Sequence, residues 1–467
     1  MHRVTAFLRD FIRRTDGSMT ILGLYFFLFM AAISAIALDT MNIYTQRTHL
    51  QVAADSGAHA ALYTRNANRA SASEAKTLAL AIIDATMPSS VYGEVSTSEE
   101  IDFGIYDAET DTFTVDDSSS SHVRVVTSMR GTNGGGGNSL GTYLFKLVGI
   151  DSFDLQTEAI FSSEMPGCLR EGFVSQTRTD IQSNNSFSNE FCVHSNGHVE
   201  INNGNTFAEG TTISMPNIDE FVIPGYENNP GAEDALRVGT MRLDLLDQIQ
   251  LTHTAYLNPP SDGSFSTSVM ELPDYIDSLE VKTFNSRTLV PGDLEPGHIY
   301  NLSCPGKKVT LGGTVVFSDA EKEAAELAGE TLEDLVIEDV VIVTDCEIVI
   351  SMGTVLHDVR IITTDASDRS VTSASNVVLG KDDDCAEGGG VEIYTMGGMD
   401  FASGLNMYGS QIAAKKDINF SAQADGVKGA SLIAGGEIDG TANGNMGLCL
   451  NGGSPRGMDD FYFQLVR

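Results

Sequence analysis

Tryptophan is absent from this 467-residue chain, and aromatic residues of all kinds make up only 7% of it. Basic residues are scarce as well: 28 Lys and Arg stand against 64 Asp and Glu, a formal net charge of −36. So acidic a surface repels phosphate backbones and anionic headgroups, which excludes nucleic acid as a partner of the main body. It favours solubility and can attract cations or basic partners. The sequence also lacks H-E-x-x-H, G-x-S-x-G and any glycine loop followed by Lys-Ser/Thr, so zincin, hydrolase-elbow and phosphate-loop chemistry have no support. No C-x-x-C pair occurs, which argues against zinc.

What is abundant is Gly, at 46 residues, together with Asn, Ser and Thr. That mixture suits short strands joined by tight turns better than a helical bundle. The length allows two or three domains. Six cysteines, Cys168, Cys192, Cys304, Cys346, Cys385 and Cys449, are widely spaced. An even number lying beyond an apolar segment reads as disulfides in an oxidising compartment, with the pairing left open.

Residues 18–38 carry no charged side chain. At 1.5 Å per residue that stretch spans about 30 Å, the thickness of a hydrocarbon core. Arg3, Arg9, Arg13 and Arg14 precede it and Asp39 follows, so the positive-inside rule leaves residues 1–17 as a cytoplasmic tail and exports the rest. A cleaved signal peptide is the rival. The run exceeds a usual h-region and helix composition continues past it, so a retained anchor is expected.

Residues 40–65 read as an outward continuation of the membrane helix. Small residues Ala53, Ala54, Gly57, Ala58, Ala60 and Ala61 would admit a close neighbour. A second helix is expected over 73–87, capped by Ser71 or Ser73 and ending before Pro88. Strands are then predicted at 91–95, 100–106, 112–115, 123–129 and 152–161, with a short helix at 140–148. Residues 39–165 thus read as an α+β module.

The run Gly17-Ser18-Met19-Thr20 into an apolar span, then Leu38-Asp39 and Gln46-Arg47-Thr48-His49-Leu50-Gln51 with Asp55, resembles the N-terminus of Tad (tight adherence, Flp) pilus-assembly proteins of the TadG-like kind. Ile101-Asp102-Phe103-Gly104, Val123-Arg124-Val125 and Phe145-Lys146-Leu147-Val148-Gly149 extend the likeness to about residue 165. The resemblance implies a single-pass bacterial inner-membrane protein whose periplasmic part serves adhesive pilus biogenesis. Its partners would be pilus-assembly proteins or pilin subunits, or the cell wall, with the bilayer contacted through residues 18–38. Leu22 stands where prepilin processing after Gly17 wants Glu, so no such cleavage is expected.

Beyond 165 the chain repeats. Ile181-Gln-Ser-Asn-Asn-Ser-Phe187 aligns with Ile201-Asn-Asn-Gly-Asn-Thr-Phe207, and Met399-Asp-Phe401, Ile418-Asn-Phe420 and Ile438-Asp-Gly440 recur at 19 to 20 residues. That period matches one turn of a parallel β-helix, in which stacking completes the core. Residues 166–467 are therefore expected to form a Gly/Asn-rich, mainly-β solenoid, with a β-sandwich as runner-up. More strands are predicted at 335–343, 347–350, 355–363 and 377–379. Helices are predicted at 233–251 and at 318–332, the latter opened by a Ser318/Glu321 capping box. Pro259-Pro260 reads as a long turn.

Candidate chemistry is thin. Asp116-Asp-Ser118-Ser-Ser120 has the form of a metal-dependent adhesion site but follows a short strand, and reads as a polar loop. Lys381-Asp382-Asp383-Asp384 before Gly388 could gather carboxylates round calcium, yet lacks the spacing of an EF-hand loop. His122, His194, His198, His253, His298 and His357 are scattered; Asn196-Gly197 between His194 and His198 argues for a turn. β-Helices can host polysaccharide-cleaving sites, for which Lys415-Lys416-Asp417 is the one candidate. The expectation is a non-enzymatic, cofactor-free scaffolding protein; a membrane-tethered carbohydrate-binding or carbohydrate-cleaving β-helix is the alternative.

Overall fold

A single helix, Ser18–Asn66, carries the apolar stretch and its continuation without a break. The computed structural model describes residues 18–66, 70–131, 137–164, 167–188, 190–261, 263, 265–266, 269–304, 307–312, 336–384, 386, 388–440, 443–449, 458 and 462–467. The expected cytoplasmic tail 1–17, the helix at 318–332 with its capping box, and Cys385 lie outside them. Contacts divide the chain into Met1–Glu164 with Tyr462–Arg467, and Met165–Phe461.

In the first unit the two halves of the long helix behave differently. Side chains from Met19 to Leu38 are exposed, save the half-buried Ala35. Farther along, Leu50, Ala53, Ala54, Ala58, Ala61 and Leu62 are fully buried, a stripe at helical spacing. They face helix Ala72–Thr86 and strands whose inward residues include Val123, Val125 and Ala159. Small side chains set the approach. A Cβ at Gly57 would lie 2.7 Å from the Ile83 side chain, so any larger residue there must push Ile83 aside where the helices cross.

The second helix opens at Ser71, one of the two expected caps, which forms a capping box with Glu74. Five antiparallel strands follow in the order Thr112–Val115, Ile101–Asp107, His122–Met129, Leu155–Glu164 and Tyr462–Leu465. The last six residues thus return to this unit, where the sequence assigned everything after 165 to one domain.

Two local expectations fail here. Residues 91–95 were expected as strand, but Ser89–Tyr92 forms a helical turn, because the N–H groups of Val91 and Tyr92 reach back to Pro88 O. Residues 140–148 are not one helix. Leu140–Gly141 pairs with Ser152–Phe153, and only Phe145–Val148 winds, as a 3₁₀ turn.

The second unit is mainly β, with one 24-stranded sheet. Every pairing in it among the described residues is parallel, a pattern foreign to an antiparallel sandwich. The predicted repeats pair in register: Ile181 with Ile201, Phe187 with Phe207, and Met399 with Ile418 and then Ile438. The strands at 336–344, 347–350 and 355–363 form as expected.

One relation was not legible. Ser431–Ala434 pairs with Gly172–Ser175, and Glu437–Gly440 with Arg178–Ile181, so the last repeat stacks on the first. Val391–Thr395, Gln411–Ala414 and Ser431–Ala434 are buried on both faces. One face lines the main core. The other lies under helix Gln248–Leu257 and its neighbours, where Leu245, Ile249, Tyr256 and Met270 meet Val341, Ile362, Tyr394 and Ile433.

The helix expected at 233–251 is corrected. It breaks into Ala232–Ala235, a strand Leu236–Val238, a 3₁₀ turn Asp244–Asp247 and the helix Gln248–Leu257. Leu236 extends the parallel ladder beside Ile213, and pairing there overrides helix propensity.

Candidate functional site

Two features stand out chemically, one in each unit. In the first, Asp39 ends the uncharged stretch and is 1% exposed despite its charge. Its carboxylate accepts from the backbone N–H groups of Tyr143 (2.6 Å), Leu144 (2.9 Å) and Phe145 (2.7 Å). The helix and the 142–151 loop are thereby joined at the first charged residue after the uncharged stretch. Farther along, Thr127 Oγ1 donates to Leu50 O (2.9 Å) and Gln51 Nε2 to Glu158 O (3.1 Å), fixing the helix to the sheet.

The second feature is a column of acceptors. Successive parallel registers place Asp400 beside Asn419, Asn419 beside Asp439, Asp439 beside Asp180, and Asp180 beside Glu200. These are the middle residues of the repeated triplets, whose flanking residues turn into the core. Arg178 stands in the adjoining register, two residues before Asp180 and beside Glu437 and His198, and pairs with Glu437 (2.8 Å), Asp180 (3.4 Å) and Glu200 (3.5 Å). Burial, with the charges of Asp439 and Glu200, pushes the Asp180 carboxyl above its usual range. The stripe can present oxygens to a cation or a basic surface; Arg178 is its built-in counter-charge. Sequence reasoning missed it because its parts lie more than 200 residues apart. The recurring acidic or Asn centre of each triplet was the available signal.

The cysteines resolve in part. Cys168 pairs with Cys192 and Cys304 with Cys346, with Cα–Cα distances of 4.8 and 6.2 Å. Cys449 is disulfide-bonded as well. Asp345 lies near Cys304 and Cys346, but the joined sulfurs leave no thiolate pair for a metal.

The remaining candidates take structural parts. In the 116–120 loop, Asp116 Oδ1 accepts from Ser118 N and Oγ, while Arg65 and Asn66 donate to the loop carbonyls, closing the end of the long helix. Asp384 pairs with Lys428, and Asp383 accepts from Ala386 N–H, within the loop considered for calcium. Lys415 pairs with Asp247 and Lys416 with Asp368 (2.6 Å). His194 and His198 sit on separate strands. His194 is fully buried, its ring nitrogens within 2.7 Å of Ser214 Oγ and 3.0 Å of Asn196 Oδ1. His253 Nε2 lies 3.0 Å from Thr344 O.

A denser buried network ties the covering segment to the sheet. Arg360 pairs with Glu392 and also donates to Tyr256 Oη (2.7 Å), while Tyr394 Oη donates to Gln411 Oε1 (2.6 Å). Burial and the Glu392 carboxylate act oppositely on the guanidinium, and the carboxylate prevails, holding Arg360 charged.

Comparison with known families now places both regions. Residues 172–450, more than half of the chain, match the family described as domain of unknown function DUF7867. The chain belongs to that family. Residues 17–72 match the Tad family, Flp pilus-assembly TadE/G-like, which bears out the N-terminal resemblance. This DUF7867 member has no match among curated proteins. An ice-binding protein from the Antarctic ascomycete Antarctomyces psychrotrophicus is 12% identical, over 60% of this chain and 96% of that one, with a TM-score of 0.18. So low a score carries no argument about fold or ligand.

Proposed function

We propose that the protein is an inner-membrane-anchored structural component of Tad pilus assembly, with residues 1–17 cytoplasmic and the body in the periplasm. The observation that carries this reading is the unbroken helix Ser18–Asn66. One half is exposed and long enough to cross a bilayer; the other is built into a folded core. A helix shared in this way transmits position rather than chemistry. The Tad match over residues 17–72 supports a role in assembly, and the disulfides suit an oxidising compartment.

In this reading the DUF7867 region is a parallel β-helix-like solenoid, presenting its acidic column and repeated backbone to pilin subunits, assembly proteins or the cell wall without covalent chemistry. The register-matched repeats and wholly parallel pairing support it. Binding would be polar and salt-sensitive on the Asp180 side. The test is crosslinking in intact cells together with a chromosomal deletion. The reading expects pilus-assembly proteins among the adducts and a loss of surface pili. Normal piliation, with no assembly protein captured, would sink it.

A further inference from the structure

We infer that residues 143–150 form a second membrane contact, a loop seated in the bilayer interface beside the transmembrane helix. Its base and tip fix its direction. Leu140 and Gly141, at the base, share a cleft with Gln46, whereas the N–H groups of 143–145 bond to Asp39. Seven residues separate those helix positions, about 10 Å of rise. The hairpin therefore runs back along the helix towards the uncharged stretch and is clamped where that stretch ends.

Its far end is apolar and uncovered. Leu147 is 78% exposed and Val148 75%, with Tyr143 and Ile150 also exposed, whereas Phe145 is tucked against Phe153. Leu147 and Val148 thus stand exposed beside the Asp39 clamp, at the level where the exposed uncharged stretch of the helix ends. That level, at the end of a helix stretch long and apolar enough to cross a membrane, identifies the occupant as lipid at the headgroup–acyl boundary. Tyr143 and the exposed Lys146 are of the types that favour that depth. The turn closes through Thr142 Oγ1 to Ile150 O (2.7 Å) and Ile150 N to Phe145 O (3.1 Å), which presents the apolar tip as a built shape.

The inference rests on the anchoring reading, and a test can separate the two. The chain has no tryptophan, so one introduced Trp reports alone. Full-length Leu147→Trp, Phe26→Trp and Val115→Trp proteins would be reconstituted in phosphatidylcholine–phosphatidylglycerol vesicles, with and without bromine on the upper acyl chain. Phe26 reports the span. Val115 reports the far end, because the loop following it bonds to Arg65, 26 residues beyond Asp39 on the helix. The expected result is loss of emission and a blue-shifted maximum at positions 147 and 26, and neither at 115. Quenching at 26 with none at 147 overturns the loop contact and leaves the anchor standing. No quenching at either position overturns both. Circular dichroism of each variant verifies the fold, and Val148→Trp provides a second reporter if Leu147→Trp fails to fold.

Discussion

The Phe187 ring lies flat on that of Phe207, with centroids 4.8 Å apart and planes 1° from parallel. Twenty residues of chain return to the same place, and the two side chains point into one core because their strands pair in parallel register. The neighbouring asparagines repeat the relation in polar form: Asn205 Oδ1 accepts from Asn185 N (2.9 Å), and Asn229 Oδ1 from Asn205 N (3.0 Å). Phe187→Ala removes a fully buried ring from the stack and should cost about 3–5 kcal/mol. Chemical denaturation of the full-length protein in detergent checks this, with the exposed Tyr226→Ala as a control of small effect.

Arg360 and Glu392 test a different kind of contact, since both side chains are almost wholly buried. Glu392→Gln strands a buried guanidinium and should cost about 3–5 kcal/mol, whereas Arg360→Met with Glu392→Met should recover most of that loss. A double variant no more stable than the single one would show that the pair holds the covering segment in place by more than charge balance.

Cys304 and Cys346 are 42 residues apart in sequence. Their bond limits the unfolded chain, so Cys304→Ser with Cys346→Ser should lower stability by about 4 kcal/mol on a loop-entropy account. Thermal melts of wild-type and variant protein, each with and without reductant, measure it. A variant melting like the oxidised parent would show the bond to be dispensable.

Burial lowers the pKa values of His194 and His253 from the ordinary value of 6.5. Both imidazoles are thus held neutral in the folded state, while the unfolded chain takes up protons below about pH 6.5. Their contribution to stability is intact above that pH and declines as the pH falls through the folded values. His194→Gln should flatten the decline between pH 7 and pH 5 relative to the parent, measured as the denaturation midpoint at each pH.

Asp39 should matter for local order more than for global stability. Asp39→Ala leaves the N–H groups of 143–145 without their carboxylate, so hydrogen exchange there should accelerate while exchange in strands His122–Met129 and Leu155–Glu164 stays slow. Asp39→Asn retains an acceptor and should fall between. Equal protection in all three proteins would show that the loop is held by other contacts.

Residue order by itself determined the long apolar helix, the capped second helix, the in-register repeats and the even set of cysteines. Each is a local or periodic signal: an unbroken uncharged run, a capping pair three residues apart, a period near 20. Only the tertiary structure decided that the last repeat stacks on the first, which gathers Asp180, Glu200, Asp400 and Asp439 into one column. The same holds for the C-terminal strand that returns to the N-terminal sheet, and for Leu236 leaving a helical pattern to join a ladder. The reason is physical. A strand's pairing partner is chosen by which open edge and which apolar face remain to be covered, and neither is written within reach of the strand itself.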